Sequence, residues 1–449
     1  MRRFVIMLSG LLLAATLSTS PLHAAVEIEP VTSPQGQTAW LVADPSIPML
    51  ALELIFPGGA VLDPDDALGA TAFMTSLLTE GAGDLDAQAF AAALEETAGS
   101  VSFSAGRDSV SLSIRALSEN RDEVLTLARL ALTEPRFEPR ALERVRGQMI
   151  AMRERAERNP NTIAGQAFSE LAFAGHPYAR SADGTPESLA ALNRTDVEAA
   201  HRAAFSRGRV HVGAAGDISA DELGLLIDRL LEGLPETAPD LPEHAQFSAE
   251  PGIMVIPHPG PQSVVQFGHA GIRRDDPDFM AAFIMNEIFG GGRFGTRLMA
   301  ELRQRRGLTY GIGTSLASGL LGESYVGRFS TDNARVGDAI SLLRAEWEWL
   351  AEGGITQEDL ERTQTFLTGA YPLRFDGNES LASIMASMQF QDFDIDYVNI
   401  RNDLVRAVTL EDIHAIAARM IAPDALSFVI VGAPADIEAA ESRLPSDTD

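Results

Sequence analysis

The stretch from Gly290 to Tyr310, GGGRFGTRLMAELRQRRGLTY, is the most informative segment of this chain. It joins a run of three glycines to a helix, and the helix leads to Arg303 and Tyr310, which are seven residues apart. Adjacent glycines allow the backbone to turn sharply and to approach a neighbouring segment closely. No lysine follows them and no phosphate-type strand–turn–helix pattern surrounds them, so the run does not indicate a phosphate cradle.

Outward from this stretch, the chain shows two halves with the same order of elements. A strand pair and an Asp-Pro-Asp turn precede a helix in each half, with prolines at Pro64 and Pro277. Near the end of each half, Thr195 and Thr409 are predicted to cap a helix that a buried strand follows. A repeat of about 210 residues is much longer than a solenoid unit and indicates a duplicated domain.

The pattern of each half predicts an α+β fold. Alternating runs such as 100–104 and 109–114 predict strands with one packed and one solvated face. Helices predicted at 87–98, 121–132 and 139–157 would cover the packed face. We therefore expect two homologous domains, each a mostly antiparallel sheet with helices on one face, that together form half of a clamshell. The predicted bounds are 25–231 and 251–449, with an exposed, proline-rich linker at 232–250.

Residues 1–24 are predicted to be a secretory signal peptide, with Arg2 and Arg3 ahead of an apolar run and a cleavage site near Ala24. The expected location is the periplasm, without a membrane span in the mature chain. The chain has no cysteine, so no disulfide framework accompanies export. It carries 63 acidic against 35 basic residues, which argues against binding to nucleic acid.

Common catalytic motifs are absent from the sequence. Its eight histidines include no pair at helical spacing of three or four, so no HExxH or HxxEH string exists. There is also no Gly-x-Ser-x-Gly elbow, no Walker loop and no dinucleotide-binding glycine pattern. His176, in a His-Pro-Tyr run, is interpreted as a packed loop residue. The methionines and phenylalanines of 279–289 are interpreted as helix core.

Several motifs resemble the M16 zinc peptidases, the family of pitrilysin and the mitochondrial processing peptidase. In the second half these are Asp276-Pro277-Asp278, Gly290-Gly291-Gly292, Thr296-Arg297-Leu298 and Leu302–Tyr310. In the first half they are Pro57-Gly58-Gly59, Gly69, Gly81, Glu143-Arg144, His176-Pro177-Tyr178 and Gly184. The resemblance covers nearly all of residues 25–440, and the 290–310 motif is its most specific part.

The resemblance implies that the metal motif of the first domain is lost. In the family, HxxEH on a helix holds zinc through two histidines while the glutamate activates water. Its place here is Ala72 to Ser76, with Thr75 where the general base stands. The third ligand falls at Ile150, and a slip of the alignment offers Gln148 or Glu154 instead. We expect no zinc in this chain and a zinc ion in a homologous, HxxEH-bearing partner subunit.

The second-domain features of the family are retained. By resemblance, Arg303 and Tyr310 polarise the scissile carbonyl and stabilise the oxyanion, while Gly290, Gly291 and Gly292 contact peptide substrate. Each residue also has a structural alternative. Arg303 would serve only surface solvation or ion pairing, and Tyr310 would be an aromatic residue of a strand. Relatives bind peptide along a sheet edge, and 100–104 occupies that place here with a different sequence.

Two hypotheses follow. The preferred one is the non-zinc subunit of a heteromeric, periplasmic M16-type endopeptidase that degrades peptides and is inactive alone. The alternative is a catalytically inactive peptide-binding or scaffold protein of the same fold. The retained Arg and Tyr favour the first hypothesis, because a scaffold has little use for both.

Overall fold

A computed structural model describes residues 26–435 and residue 437, so the predicted signal peptide lies outside the described residues. The strands are β1 Glu29–Thr32, β2 Thr38–Ala43, β3 Met49–Pro57, β4 Gly81–Ala82, β5 Leu85–Asp86, β6 Ser100–Ala105, β7 Ser109–Leu117, β8 His211–Gly216, β9 Gly252–Pro257, β10 Gln262–Ala270, β11 Ile312–Ser318, β12 Glu323–Asp332 and β13 Ser427–Gly432. The helices of the first half are α1 Ala70–Thr75, α2 Ala87–Glu96, α3 Arg121–Thr133, α4 Pro139–Ala156, α5 Pro160–Ala172, α6 Pro186–Ala191, α7 Arg194–Ala204 and α8 Ala220–Leu230. Those of the second half are α9 Phe279–Phe289, a π-helix Met299–Arg305, α10 Val336–Ala351, α11 Gln357–Ala370, α12 Asn378–Phe390, α13 Tyr397–Ala407 and α14 Leu410–Met420.

Two large sheets share one order over five strands, as the predicted duplication requires, and β1 is an additional edge strand of the first sheet. The first runs β1-β2-β8-β3-β7-β6 and the second runs β9-β13-β10-β12-β11. In each sheet one pair is parallel, β2 with β8 and β9 with β13, and the other pairs are antiparallel. The predicted α+β class with mostly antiparallel sheets is therefore confirmed. None of the helices in the described ranges is both long and apolar enough to span a bilayer.

Helix caps agree with the sequence at one of the two predicted positions. Thr409 caps α14, where its hydroxyl accepts the Asp412 N–H in a capping box. The prediction of Thr195 as a cap is wrong, because Asn193 holds that position and its side chain accepts the Thr195 N–H. Asn is as good a cap as Ser or Asp and better than Thr, so the helix begins two residues earlier than predicted.

The two halves exchange one helix each, which the sequence did not predict. On one face of the first sheet, Leu50, Leu52 and Leu54 join the main core. On the opposite face Ala51 packs with Leu381 of α12, a helix of the second half. The face that was predicted to stay uncovered is thus closed by a helix from more than 150 residues further along the chain.

The second sheet shows the reciprocal arrangement. Phe168 of α5, a helix of the first half, packs with Val429 and Val431 on the face opposite the main core. The segment 232–250 forms no helix or strand, as predicted for a linker. Its middle is not exposed, however, since Ala245 is buried and its N–H donates to the Leu321 carbonyl. The domain boundaries themselves stay a prediction.

A buried histidine makes the stability of the second half depend on pH. His269 Nε2 accepts the Trp347 indole N–H at 3.1 Å, so its Nδ1–H donates to the Ala270 carbonyl at 2.7 Å. Burial lowers the pKa of His269, so the folded state keeps the ring neutral where the unfolded chain takes up a proton. This contribution to stability is complete above pH ~6.5 and is lost as the pH falls through the lower folded-state pKa.

We expect the free energy of unfolding to fall below pH ~6.5, and to fall less steeply in His269→Gln. Gln can donate one hydrogen bond and accept the other without taking up a proton. Denaturant unfolding of both proteins over this pH range measures the difference in slope. Identical slopes would contradict the assignment of a neutral, buried His269.

Candidate functional site

Arg303 lies in an irregular turn of helix. Residues Met299–Arg305 form a π-helix, and the Leu308 N–H donates to the Leu302 carbonyl as the chain leaves it. Short π-helical segments are rare and occur frequently at functional sites. The guanidinium of Arg303 stacks on the ring of Phe294, 4.7 Å from its centroid. Phe294 is itself 68% exposed, so this stacked pair lies at the surface.

Arg303 differs from the other arginines of its cluster. Arg297, Arg305 and Arg306 all pair with the buried carboxylate of Glu301. Within residues 26–435, Arg303 takes part in no ion pair. The ion-pairing alternative therefore fits its three neighbours and not Arg303, whose hydrogen-bond donors stay available to a ligand.

Tyr310 is not a strand residue. Strand β11 begins at Ile312, and Tyr310 precedes it in the connecting loop with 85% of its surface exposed. The turn around it is held by Thr309, whose hydroxyl donates to the Gly311 carbonyl and accepts the Gly311 N–H. An exposed phenol on an anchored loop can donate a hydrogen bond to a partner outside this chain.

The glycine run serves the packing of the second domain. A Cβ at Gly290 would lie 2.2 Å from Thr314 Oγ1, and one at Gly291 would lie 2.5 Å from Glu287 Oε1. Gly292 has φ +80° and open space around it, so its backbone conformation favours glycine. Close packing against β11 explains Gly290, close packing against α9 explains Gly291, and backbone conformation explains Gly292. Their predicted contact with substrate stays a prediction.

In the first domain, a cavity of about 440 Å³ lies at the positions of the family's metal motif. Ala72, Thr75 and Ser76 line it. Both hydroxyls donate to the Ala72 carbonyl, Thr75 at 3.0 Å and Ser76 at 2.9 Å. Phe103 of the edge strand β6 lines the cavity as well. No cluster of three potential metal ligands occurs among the residues that the structure describes.

Helix α4 contributes side chains to this cavity that the sequence comparison did not identify. Met149, Met152 and Arg153 line it. The predicted position of the third metal ligand, Ile150, does not line it, and neither do the alternatives Gln148 and Glu154. The guanidinium of Arg153 lies 3.6 Å from Asp183. The signal was present in the sequence, because Leu142, Val145 and Met149 are spaced as one helical face whose continuation passes through 152, 153 and 156.

Asp63 holds the start of α1, the helix that carries the altered motif. Its carboxylate accepts the Gly69 N–H at 3.0 Å, the Thr71 N–H at 3.1 Å and the Thr71 hydroxyl at 2.6 Å. Burial raises the pKa of Asp63 to about 6, although these hydrogen bonds oppose the rise. Asp63 therefore fixes the first turn of the helix that carries the altered motif.

His176 is a packed loop residue, as predicted. Its Nδ1 accepts the Tyr178 N–H at 3.1 Å, which leaves Nε2–H to donate to the Glu243 carbonyl at 2.8 Å. Both ring nitrogens are used for structure, and the second bond ties the first domain to the 232–250 segment.

The repeated strand order defines a duplicated α+β protein. A family model described as insulinase, peptidase family M16, matches residues 39–185, and a model described as the peptidase M16 inactive domain matches residues 191–367. The chain belongs to the M16 family, as the motifs predicted.

Individual relatives agree with this assignment. The chain is 28% identical to the non-peptidase homolog YmxG of Helicobacter pylori, over 75% of this chain and 77% of that protein. It is 24% identical to an uncharacterized zinc protease of Mycobacterium leprae, over 61% of each chain. A crystal structure of a peptidase M16 inactive domain from Pseudomonas fluorescens matches with a TM-score of 0.84 and 26% identity, over 90% of this chain and 98% of that one. A protease from Helicobacter pylori shares the fold, with a TM-score of 0.83 and 15% identity over 91% and 100% of the two chains.

Proposed function

We propose that this chain is the non-zinc subunit of a heteromeric, periplasmic M16-type endopeptidase. A homologous HxxEH-bearing subunit supplies the zinc and the water-activating glutamate. This chain supplies the Arg303 guanidinium and the Tyr310 phenol to the substrate carbonyl and the oxyanion. The complex degrades peptides, and each chain is inactive alone. The predicted export signal supports the periplasmic location.

The single observation on which the proposal depends is that the Arg303 guanidinium has no acidic partner within the part of the chain that the structure describes. It is the arginine of its cluster that the described structure leaves without an acidic partner, and it stacks on an exposed ring in a π-helical turn. A guanidinium retains its charge in a partly dry cleft and donates in a fixed fork. Donors aimed at the developing oxyanion lower the barrier because that charge exists only in the transition state.

The first domain supports the division of labour between two chains. Ala72 and Ser76 cannot ligate zinc as histidine does, and Thr75 cannot act as a carboxylate base. Arg153 and Asp183 line the same cavity and are paired with each other at 3.6 Å, so the carboxylate there already has a cationic partner. The relatives named as a non-peptidase homolog and as an inactive domain agree with a chain that binds no zinc itself.

The test is to mix this chain with an HxxEH-bearing M16 subunit from the same organism and to measure cleavage of a fluorogenic peptide. We expect activity in the mixture, none in either chain alone, and zinc only in the partner. Tyr310→Phe, which removes one hydrogen-bond donor, should lower kcat/KM of the mixture by about 100-fold. Tightly bound zinc in this chain alone would overturn the proposal.

The alternative is an inactive peptide-binding or scaffold protein of the same fold. The similarity to the non-peptidase homolog YmxG favours it. The two functions differ in one measurable respect: a scaffold would bind the partner, and replacing Arg303 or Tyr310 would leave the partner's turnover unchanged.

A further inference from the structure

A second cavity, of about 390 Å³, lies where α12 meets α9 and α13. Arg274, Arg374 and Arg401 line it, and we call it the arginine cavity. Within the described ranges, no carboxylate lines this cavity and none of its three arginines takes part in an ion pair. Three cations gathered without a counter-charge are unusual in a chain whose net charge is −28.

The least exposed of these cations is Arg401. It is 6% exposed, and its Nη1 donates to the Leu367 carbonyl at 3.0 Å. Burial lowers the pKa of Arg401 and of Arg274, because each charge is held partly out of water. Glu287 lies within electrostatic range of Arg401, but it is already ion-paired with Arg293 at 3.2 Å.

One wall of the cavity supplies neutral hydrogen-bonding groups. Ser383 and Ser387 of α12 and Gln391, the C-cap of that helix, line it at four-residue spacing, so they share one face of the helix. Burial raises the pKa of Tyr371 and of Tyr397, so both phenols keep their protons near neutral pH and can donate.

The remaining wall is aromatic. Phe279 and Phe283 were predicted to be helix core, but both are half-buried and line the cavity. The guanidinium of Arg274 stacks on Phe279 at 4.9 Å, and that of Arg401 stacks on Tyr371 at 4.6 Å. Stacking holds a guanidinium in one plane and leaves its edge free to pair with an anion.

We propose that the arginine cavity binds a small organic anion: a carboxylate or phosphate monoester carried by an apolar group about the size of a ring. The anionic oxygens pair with the guanidinium edges and the α12 hydroxyls, and the apolar group lies against the aromatic wall. An inorganic ion would satisfy the charges but leave the rings in water. This site is separate from Arg303 and does not rest on the proposed peptidase function.

The test uses calorimetric titration of the mature chain with three probes of similar size: 3-phenylpropanoate, phenyl phosphate and the neutral 3-phenylpropanamide. We expect at least one anion to bind in the submillimolar range and at least about tenfold more tightly than the amide. The preferred anion identifies the head group. Arg274→Gln and Arg374→Gln should each weaken binding about tenfold or more. Arg202 is an exposed arginine of α7 outside the cavity, so Arg202→Gln should leave binding unchanged.

Arg374 is exposed, so the Arg374→Gln variant should fold normally. If replacing Arg274 disturbs the fold, the Arg374 variant still tests the proposal. Binding of the amide as tight as that of both anions would overturn the proposal, because the cavity would then be merely apolar. Absence of binding by both anions, or unchanged binding in the Arg374 variant, would overturn it as well.

Discussion

Replacing Arg303 by Ala is expected to lower kcat/KM of the mixed peptidase complex by about 100- to 1000-fold, the range for loss of one oxyanion donor. The side chain lies at the surface and stacks only on Phe294, which is itself exposed. The stability of the free chain should therefore change little. The loss should appear in kcat, because the charge that Arg303 meets develops only in the transition state.

A neighbouring arginine provides the matched control. Arg305 belongs to the same π-helix, and its guanidinium pairs with Glu301. Arg305→Ala should leave kcat/KM within a few-fold of the unmodified complex, because the Arg305 guanidinium is held on Glu301 and Glu301 keeps Arg297 and Arg306 as partners. Equal activity of the Arg303 and Arg305 variants, with the complex intact, would contradict a catalytic role for Arg303.

Replacing Gly213 by Ala is expected to destabilise the chain by about 3 kcal/mol, the upper part of the usual range for overpacking. Gly213 lies in β8, against the exchanged helix α12. An added Cβ would lie 2.0 Å from the Ala382 carbonyl oxygen and 2.6 Å from the Ala386 nitrogen. Both are backbone atoms, so the whole helix has to move away from the first sheet.

Gly147 is the control for this substitution. It lies within α4, where no atom approaches within 4 Å of an added Cβ, so Gly147→Ala should be neutral or stabilise the helix by up to about 1 kcal/mol. Denaturant midpoints of the two variants and of the unmodified chain measure the contrast. A Gly213 variant that unfolds at the unmodified midpoint would show that α12 does not pack against β8 this closely.

Local and repeated features of the fold were predictable from the sequence. The alternating pattern of 109–114 predicted β7, and the two-residue period is sufficient to assign a strand and its buried face. The Thr409 cap and the repeated Asp-Pro-Asp turns depend on contacts within a few residues. Asn193 was overlooked for a local reason as well, since Asn193 and Thr195 lie two residues apart and both are residue types that cap helices.

The candidate site was only partly predictable. The sequence and the resemblance identified Arg303, Tyr310 and the altered metal motif. The sequence did not indicate that Arg297, Arg305 and Arg306 converge on Glu301 while Arg303 stacks on Phe294. Which arginine finds an acidic partner depends on side-chain directions around an irregular helix, and a regular 3.6-residue period does not describe these directions.

By itself, the sequence determined the two α+β repeats, because these depend on residue type and local spacing. The loss of zinc ligands at 72–76 and the retention of Arg303 and Tyr310 were predicted from the resemblance to the family. Only the tertiary structure decided that α5 and α12 are exchanged between the halves. It also decided that Met149 and Arg153 line the metal-motif cavity and that three arginines meet in a second one. These features depend on contacts between residues that are distant along the chain. Such contacts form where packing removes apolar surface from water, and a local sequence pattern does not specify which distant element a helix packs against.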